Sequence, residues 1–151
     1  GESDYGSLSV LHALAADVDT IATLPPGRFF PRPKVESSFV RVWPRARSPL
    51  GPGELERVER VVRAAFSQRR KRLTNGLDRL AERRWPGLER GARRERLEAL
   101  LGEVGLDPGL RPERIEPEAW LALARRLDAG DDPAPASGGL PASASEEGGD
   151  E

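Results

Sequence analysis

The stretch Leu24-Pro25-Pro26-Gly27-Arg28-Phe29-Phe30-Pro31-Arg32-Pro33-Lys34-Val35-Glu36-Ser37 decides how the rest of the chain is read. Proline fixes its own φ and turns the residue before it away from the helical region, so Phe30-Pro31-Arg32-Pro33 reads as an extended, pre-ordered loop. Two adjacent aromatics stand in it among the cations Arg28, Arg32 and Lys34. A ring held rigidly among positive charges suits a flat, electron-rich partner attached to phosphates, namely a nucleobase. From these residues alone a plainer alternative stays open: both Phe side chains belong to a core, and the prolines only make a turn.

On the N-terminal side, Val18, Thr20, Ala22 and Leu24 alternate with Asp19, Ile21 and Thr23, a β-branched run stopped by Pro25-Pro26-Gly27. This predicts a strand over 18–24. Ser38 to Trp43 predicts its partner, closed by Pro44. The connection of about 13 residues is too long for a tight hairpin turn, and loops of this length that keep their own order are often functional. Before the first strand, Leu8, Leu11, Leu14 and Ala15 fall at helical spacing, with Ser7 as the expected N-cap.

The chain changes character after Arg45. Arg47-Ser48-Pro49-Leu50-Gly51-Pro52-Gly53 reads as a linker, and the residues beyond it keep a helical period. Leu55, Val58, Val61, Val62, Ala65 and Phe66 form one amphipathic stripe. A second helix carries Leu73, Leu77, Leu80 and Ala81. A third carries Leu97, Leu100, Leu101 and Val104, with Gly105 as its left-handed stop. The last opens with Pro117 at its first position and runs through Trp120, Leu121, Leu123, Ala124 and Leu127. There is no internal repeat. The fold class expected is α+β, mostly α.

The formal net charge of −1 hides a division. Seven acidic residues and no Lys or Arg follow Arg126, which leaves 24 basic against 18 acidic groups in residues 1–127. From Arg41 to Arg96 the balance is 17 against 7. A concentrated positive field favours nucleic acid as a partner. The tail from about Ala129 is rich in Gly, Pro, Ala and Ser and is expected to be disordered and solubilising. Of the cations, only Lys34 and Lys71 are lysines.

Several chemistries are excluded or disfavoured. With no cysteine, disulfides, thiolate metal sites and cysteine nucleophiles are ruled out. No apolar run approaches the roughly 20 residues of a membrane span, and the first residues do not resemble a signal peptide, so a cytoplasmic protein is expected. No methionine occurs, even at position 1, which points to a chain that is not a complete translation product. His12, the single histidine, has no companion metal ligand and reads as a surface or half-buried residue. Carboxylates interleave with arginines, as in Glu54/Arg57 and Glu56/Arg60, a pattern of surface ion pairs rather than catalytic acids. The run Arg69-Arg70-Lys71-Arg72 lies at the junction of two helices, where cations oppose the positive end of a helix dipole. A bound polyanion would explain that cost, and a solvated helix start remains the alternative.

At this point the motifs become legible together. The loop stretch resembles the F-x-P-x-P-K-V-x-S motif of the ribosomal RNA adenine dimethyltransferases of the KsgA/RsmA type, which have the Erm resistance methylases as relatives. Asp4-Tyr5-Gly6-Ser7-Leu8-Ser9-Val10 is similar to the family's D-Y-G-x-L-S-V. Phe66-Ser67-Gln68-Arg69-Arg70-Lys71-Arg72-Leu73-Thr74-Asn75-Gly76-Leu77 resembles F-x-Q-R-R-K-T-L-x-N-x-L. Leu106-Asp107-Pro108 through Trp120-Leu121-Ala122-Leu123-Ala124 is similar to the closing pattern. The chain departs from the family at Arg72, where Thr is usual, at Thr74, often basic, and at Pro112, where Ala is common.

The resemblance implies a C-terminal portion of such an enzyme. Residues 1–46 would be the terminal helix and strand pair of a truncated Rossmann-like methyltransferase sheet, 47–128 a helical rRNA-binding domain, and 129–151 a disordered acidic tail. The glycine-rich S-adenosylmethionine loop and the N-L-P-Y catalytic motif are not in this sequence, so the chain alone is expected to be inactive and to bind no cofactor. In the intact enzyme a target adenine is flipped out of the RNA and sandwiched between the Tyr of that motif and the residue matching Phe29, and its amine attacks the sulfonium methyl directly. Arg28, Arg32 and Lys34 would meet phosphates near the flipped base, and Arg69, Arg70 and Lys71 the rRNA backbone. The expected partner is small-subunit rRNA near its 3′ end, for dimethylation of two adjacent adenosines in ribosome biogenesis, by a monomer. The other reading is a stand-alone RNA- or ribosome-binding module that lost catalysis.

Overall fold

The computed structural model describes residues 5–130. The chain runs α1 (Ser7–Ala15), β1 (Ala16–Leu24), β2 (Ser37–Pro44), α2 (Glu54–Phe66), α3 (Leu73–Arg84), α4 (Arg90–Glu103) and α5 (Pro117–Asp128), with single 3-10 turns at Pro26–Arg28 and Pro112–Arg114. The mostly helical α+β expectation is met among these residues. The expected disordered tail falls, from residue 131 onward, outside them.

The helical stripes fold onto one another as their periodicity requires. Val58, Val61, Val62 and Ala65 of α2 are buried against Leu73, Leu77 and Ala81 of α3, Leu97, Leu100 and Leu101 of α4, and Trp120, Leu121, Leu123 and Ala124 of α5. Val10 and Leu14 of α1 are fully buried in the same cluster, so α1 packs with these helices. Burying each such aliphatic side chain stabilises by about 1.5–3 kcal/mol relative to leaving it in water, before the entropy of ordering it. Gly76 allows α2 and α3 to meet backbone to backbone: a Cβ there would lie 2.7 Å from the Ala65 carbonyl oxygen and 2.8 Å from its Cα.

Two local expectations are corrected. Gly6, not Ser7, occupies the N-cap of α1, and its N–H donates to the Ser9 hydroxyl at 3.3 Å. The pairs Glu54/Arg57 and Glu56/Arg60 do not form along α2. Glu54 instead takes a two-pronged contact from Arg125 of α5, at 2.7 and 2.8 Å, while Arg57 reaches Asp128 at 3.0 Å. Charges one turn apart on α2 find better geometry across to α5, where a guanidinium can present two parallel donors. Gly105, at φ 74°, ends α4 as expected.

β1 and β2 form an antiparallel pair, with Val18 opposite Val42 and Thr20 opposite Val40, and a bulge at Ile21 that resets the register so that Ala22 faces Phe39. Alternation places Val40 and Val42 on one face and Phe39, Arg41 and Trp43 on the other. All five are exposed. The ribbon is tied to α1 at its base: the Arg45 N–H donates to the Ala15 carbonyl at 3.0 Å, Arg45 Nε donates to Asp17 at 3.2 Å, and the Ser48 hydroxyl donates to the Leu14 carbonyl at 3.1 Å.

Candidate nucleic-acid interface

The β1–β2 connection holds four of the expected site residues. Pro25 and Pro26 open a 3-10 turn closed by hydrogen bonds from the Arg28 N–H to the Pro25 carbonyl (3.0 Å) and from the Phe29 N–H to the Pro26 carbonyl (3.3 Å). The chain then passes through a cis Phe30–Pro31 peptide into β2. Arg28, Arg32 and Lys34 are all exposed. Phe29 is 39% exposed and Phe30 fully so. Neither ring belongs to the hydrophobic core of the described residues. The loop presents both rings among three cations, with Phe29 the more enclosed and Phe30 wholly in solvent.

The second group lies in the turn between α2 and α3. Backbone N–H groups of Gln68, Arg69 and Lys71 donate to the carbonyls of Ala65, Phe66 and Gln68, which winds residues 67–71 into tight turns. Leu73 N–H donates to the Leu110 carbonyl at 2.8 Å, fixing the entry to α3. Around this turn Phe66, Ser67, Gln68, Arg69, Arg70 and Lys71 line an open recess of about 340 Å³. Arg70 and Lys71 are exposed. Arg69 is half-buried and holds Glu113 at 2.9 Å, which braces the turn against the 3-10 turn before α5. The expected trio thus divides into a bracing arginine and two cations open to solvent.

The two groups sit apart. The loop lies at the far end of β1, roughly 26 Å from its start by strand rise. α1 and α2 run in opposite directions: Tyr5, just before α1, has its ring 6.2 Å from that of Phe66 at the end of α2. The basic turn is therefore at one end of α1, and the β-ribbon leaves from the other.

Two features escaped the sequence reading. Tyr5, Phe66 and Trp120 form a chain of tilted rings, with the second step 6.0 Å, and the Tyr5 hydroxyl donates to the Ile115 carbonyl at 2.8 Å. Burial, then the Glu116 carboxylate, push the Tyr5 phenol above its ordinary value. The other feature is a groove of about 350 Å³ between α2, α3 and α5, rimmed by arginines. Its residues come from three helices, so no local motif marks it. No cluster of metal-ligating side chains occurs among the described residues, and no helix among them is long and apolar enough to cross a membrane.

The described residues thus combine a helical platform carrying a basic turn with a strand pair whose loop offers aromatic rings among cations. The chain belongs to the ribosomal RNA adenine dimethylase family, whose model matches residues 1–88. It is 40% identical over 129 residues to ribosomal RNA small subunit methyltransferase A of Rhodospirillum rubrum, covering 85% of this chain and 40% of that protein. It is 38% identical over 129 residues to the protein of that name from Vibrio cholerae, covering 85% and 42%. Among solved structures, the 23S rRNA methyltransferase ErmE matches with a TM-score of 0.50 at 29% identity, covering 82% of this chain and 46% of that one. A dimethyladenosine transferase from Plasmodium falciparum matches in fold with a TM-score of 0.57 at 19% identity, covering 80% and 48%. The chain thus spans about two fifths of the length of the curated relatives it matches.

The family implies S-adenosylmethionine as methyl donor, and neither the groove nor the recess fits it. The tight approach at Gly76 is filled by Ala65 of the neighbouring helix rather than left as a cradle. Both the groove and the recess are lined by guanidinium groups, which repel a cationic sulfonium.

Proposed function

We propose that this chain supplies the RNA-binding platform and one face of the adenine clamp of an rRNA adenine N6-dimethyltransferase. It would act on two adjacent adenosines in a hairpin near the 3′ end of small-subunit rRNA during ribosome biogenesis in the cytoplasm, as a monomer. Phe29 stacks on the target base, and Arg28, Arg32 and Lys34 meet the flanking phosphates. Arg70 and Lys71 contact the rRNA backbone, and Arg69 contributes charge while bracing their turn. Residues 1–46 belong with the methyltransferase sheet and 47–128 form the RNA-binding helical unit, with α1 bridging the two. The methyl donor binds in sequence outside these 151 residues, so the chain alone transfers no methyl group.

One observation carries the reading: Phe29 and its cations are exposed together on the β1–β2 loop of a chain that belongs to the ribosomal RNA adenine dimethylase family. The family membership and the small-subunit enzymes among the relatives support the substrate. The test is direct binding of the chain to a hairpin from the 3′ end of small-subunit rRNA, alongside calorimetry with S-adenosylmethionine. Salt-dependent RNA binding with no detectable cofactor binding is expected. Absence of RNA binding at low salt, or micromolar cofactor affinity, overturns it.

A further inference from the structure

The groove between α2, α3 and α5 lies at the opposite end of the α2–α3 pair from the basic turn, about 10 Å along the α2 axis from Phe66, where that turn begins. Its floor is aliphatic: Val61 is buried, and Leu80 and Leu127 are partly buried against the core. Its rim carries Arg57, Arg60, Arg83 and Arg84 against the single carboxylate of Asp128. Asp128 is committed to Arg57, which also donates to the carbonyls of Gly53 and Pro52 at 3.1 Å each. Arg60 and Arg83 are exposed on facing helices and form no ion pair with a described residue.

An aliphatic floor under a guanidinium rim matches a group that is planar and apolar on one side and anionic on the other. The volume is within the range of small-ligand sites. Guanidinium groups serve both needs, since they stack on base faces and grip phosphate oxygens in pairs, which an ammonium cannot do. We propose that this groove receives one unpaired nucleotide of the bound RNA, its base on Val61, Leu80 and Leu127 and its phosphate between Arg60 and Arg83. This rests on the RNA-binding reading above and adds a second anchoring point, apart from both the loop and the basic turn. With the turn, it would fix a hairpin by a duplex backbone at one end and an extruded or looped residue at the other.

The full chain is titrated with two RNA hairpins that share a stem, one carrying a single unpaired nucleotide and one fully paired. Arg60→Ala with Arg83→Ala is expected to weaken binding of the first about tenfold, the scale of two lost charge-assisted contacts, and to leave the second within about twofold. Methyl resonances of Val61, Leu80 and Leu127 should shift with the first hairpin only. Arg70→Ala with Lys71→Ala should weaken both hairpins alike. Equal loss on both hairpins from the Arg60/Arg83 pair, or no loss, overturns the groove while leaving the RNA-binding reading intact. Failure of the unsubstituted chain to bind either hairpin overturns the RNA-binding reading itself. If a peptide of residues 131–151 shifts the same methyls and the chain cut after residue 130 binds RNA more tightly, the groove belongs to the acidic tail and the nucleotide proposal falls.

Discussion

The hydroxyl of Tyr5 donates to the carbonyl of Ile115 at 2.8 Å, across 110 positions of sequence. This bond ties the segment before α1 to the segment before α5, with the Phe66 and Trp120 rings tilted against one another beside it. Tyr5→Phe keeps the ring contact and removes the bond, so it should lower stability by about 0.5–1.5 kcal/mol. The urea midpoint should fall at unchanged slope. The phenol is raised above its ordinary 10.0 by burial and then by Glu116. Its neutral form is therefore favoured in the fold, and its contribution is whole below pH 10 and lost as pH rises through the folded value. Tyr5→Phe should flatten that alkaline loss.

Glycine to alanine should change sign along the helices. At Gly76 the new methyl would collide with Ala65 backbone that cannot yield, and overpacking of this kind costs about 1–3 kcal/mol. At Gly91, in the first turn of α4, a Cβ meets nothing within 4 Å, so Gly91→Ala should gain up to about 1 kcal/mol. Thermal midpoints of the two variants should move in opposite directions from the parent.

Glu54 is held to about 2 by its hydrogen bonds from Arg125 and from the Gly51 N–H. The depressed value means that its stabilising contribution is present above the usual carboxylate range and is lost as pH falls toward 2. Arg125→Ala should return the Glu54 titration, followed by carboxyl chemical shift, toward 4.5, and the acid-unfolding midpoint should move upward. The effect should shrink in high salt.

The two open cations of the basic turn give a cleaner electrostatic test than Arg69, whose loss would also release Glu113. Arg70→Ala with Lys71→Ala should reduce the slope of log affinity against log salt by about 0.7–0.9 per lost phosphate contact. An unchanged slope would assign the turn to solvent.

Phe29 is tested in a chimera that joins this chain to the N-terminal part of the Rhodospirillum rubrum relative. Phe29→Ala should cut methylation at least tenfold while RNA affinity falls less than threefold, since stacking of one base is worth about 1–3 kcal/mol and acts on the flipped state. Phe30→Ala should do neither. Parallel loss of methylation and affinity in Phe29→Ala would make the ring a general contact.

Much of this was readable in advance where one element decides its own structure. The stripe Val58, Val61, Val62, Ala65 announces α2 because its partners all lie on one face. The prolines mark where β1 stops and the loop begins, although Phe29–Pro31 bend where an extended run was expected. α4 is longer than its apolar stripe, which begins at Leu97 although the helix begins at Arg90. Its first turns are held by polar contacts, among them Arg94 to Glu98 at 2.9 Å. The partners of Glu54 and Arg57 were misread because the sequence does not show α5 crossing their side of α2. The arginine groove was hidden for the same reason: it exists only once three helices have met.

The near-absence of lysine gives the protein a built-in pair of reporters. Lys34 is exposed in the loop and Lys71 in the basic turn, so an amine-selective reagent meets one lysine on each proposed RNA contact. Protection of the two lysines by RNA, read by mass spectrometry of the labelled chain, would reveal whether a given RNA covers the loop, the turn or both, without altering a single residue.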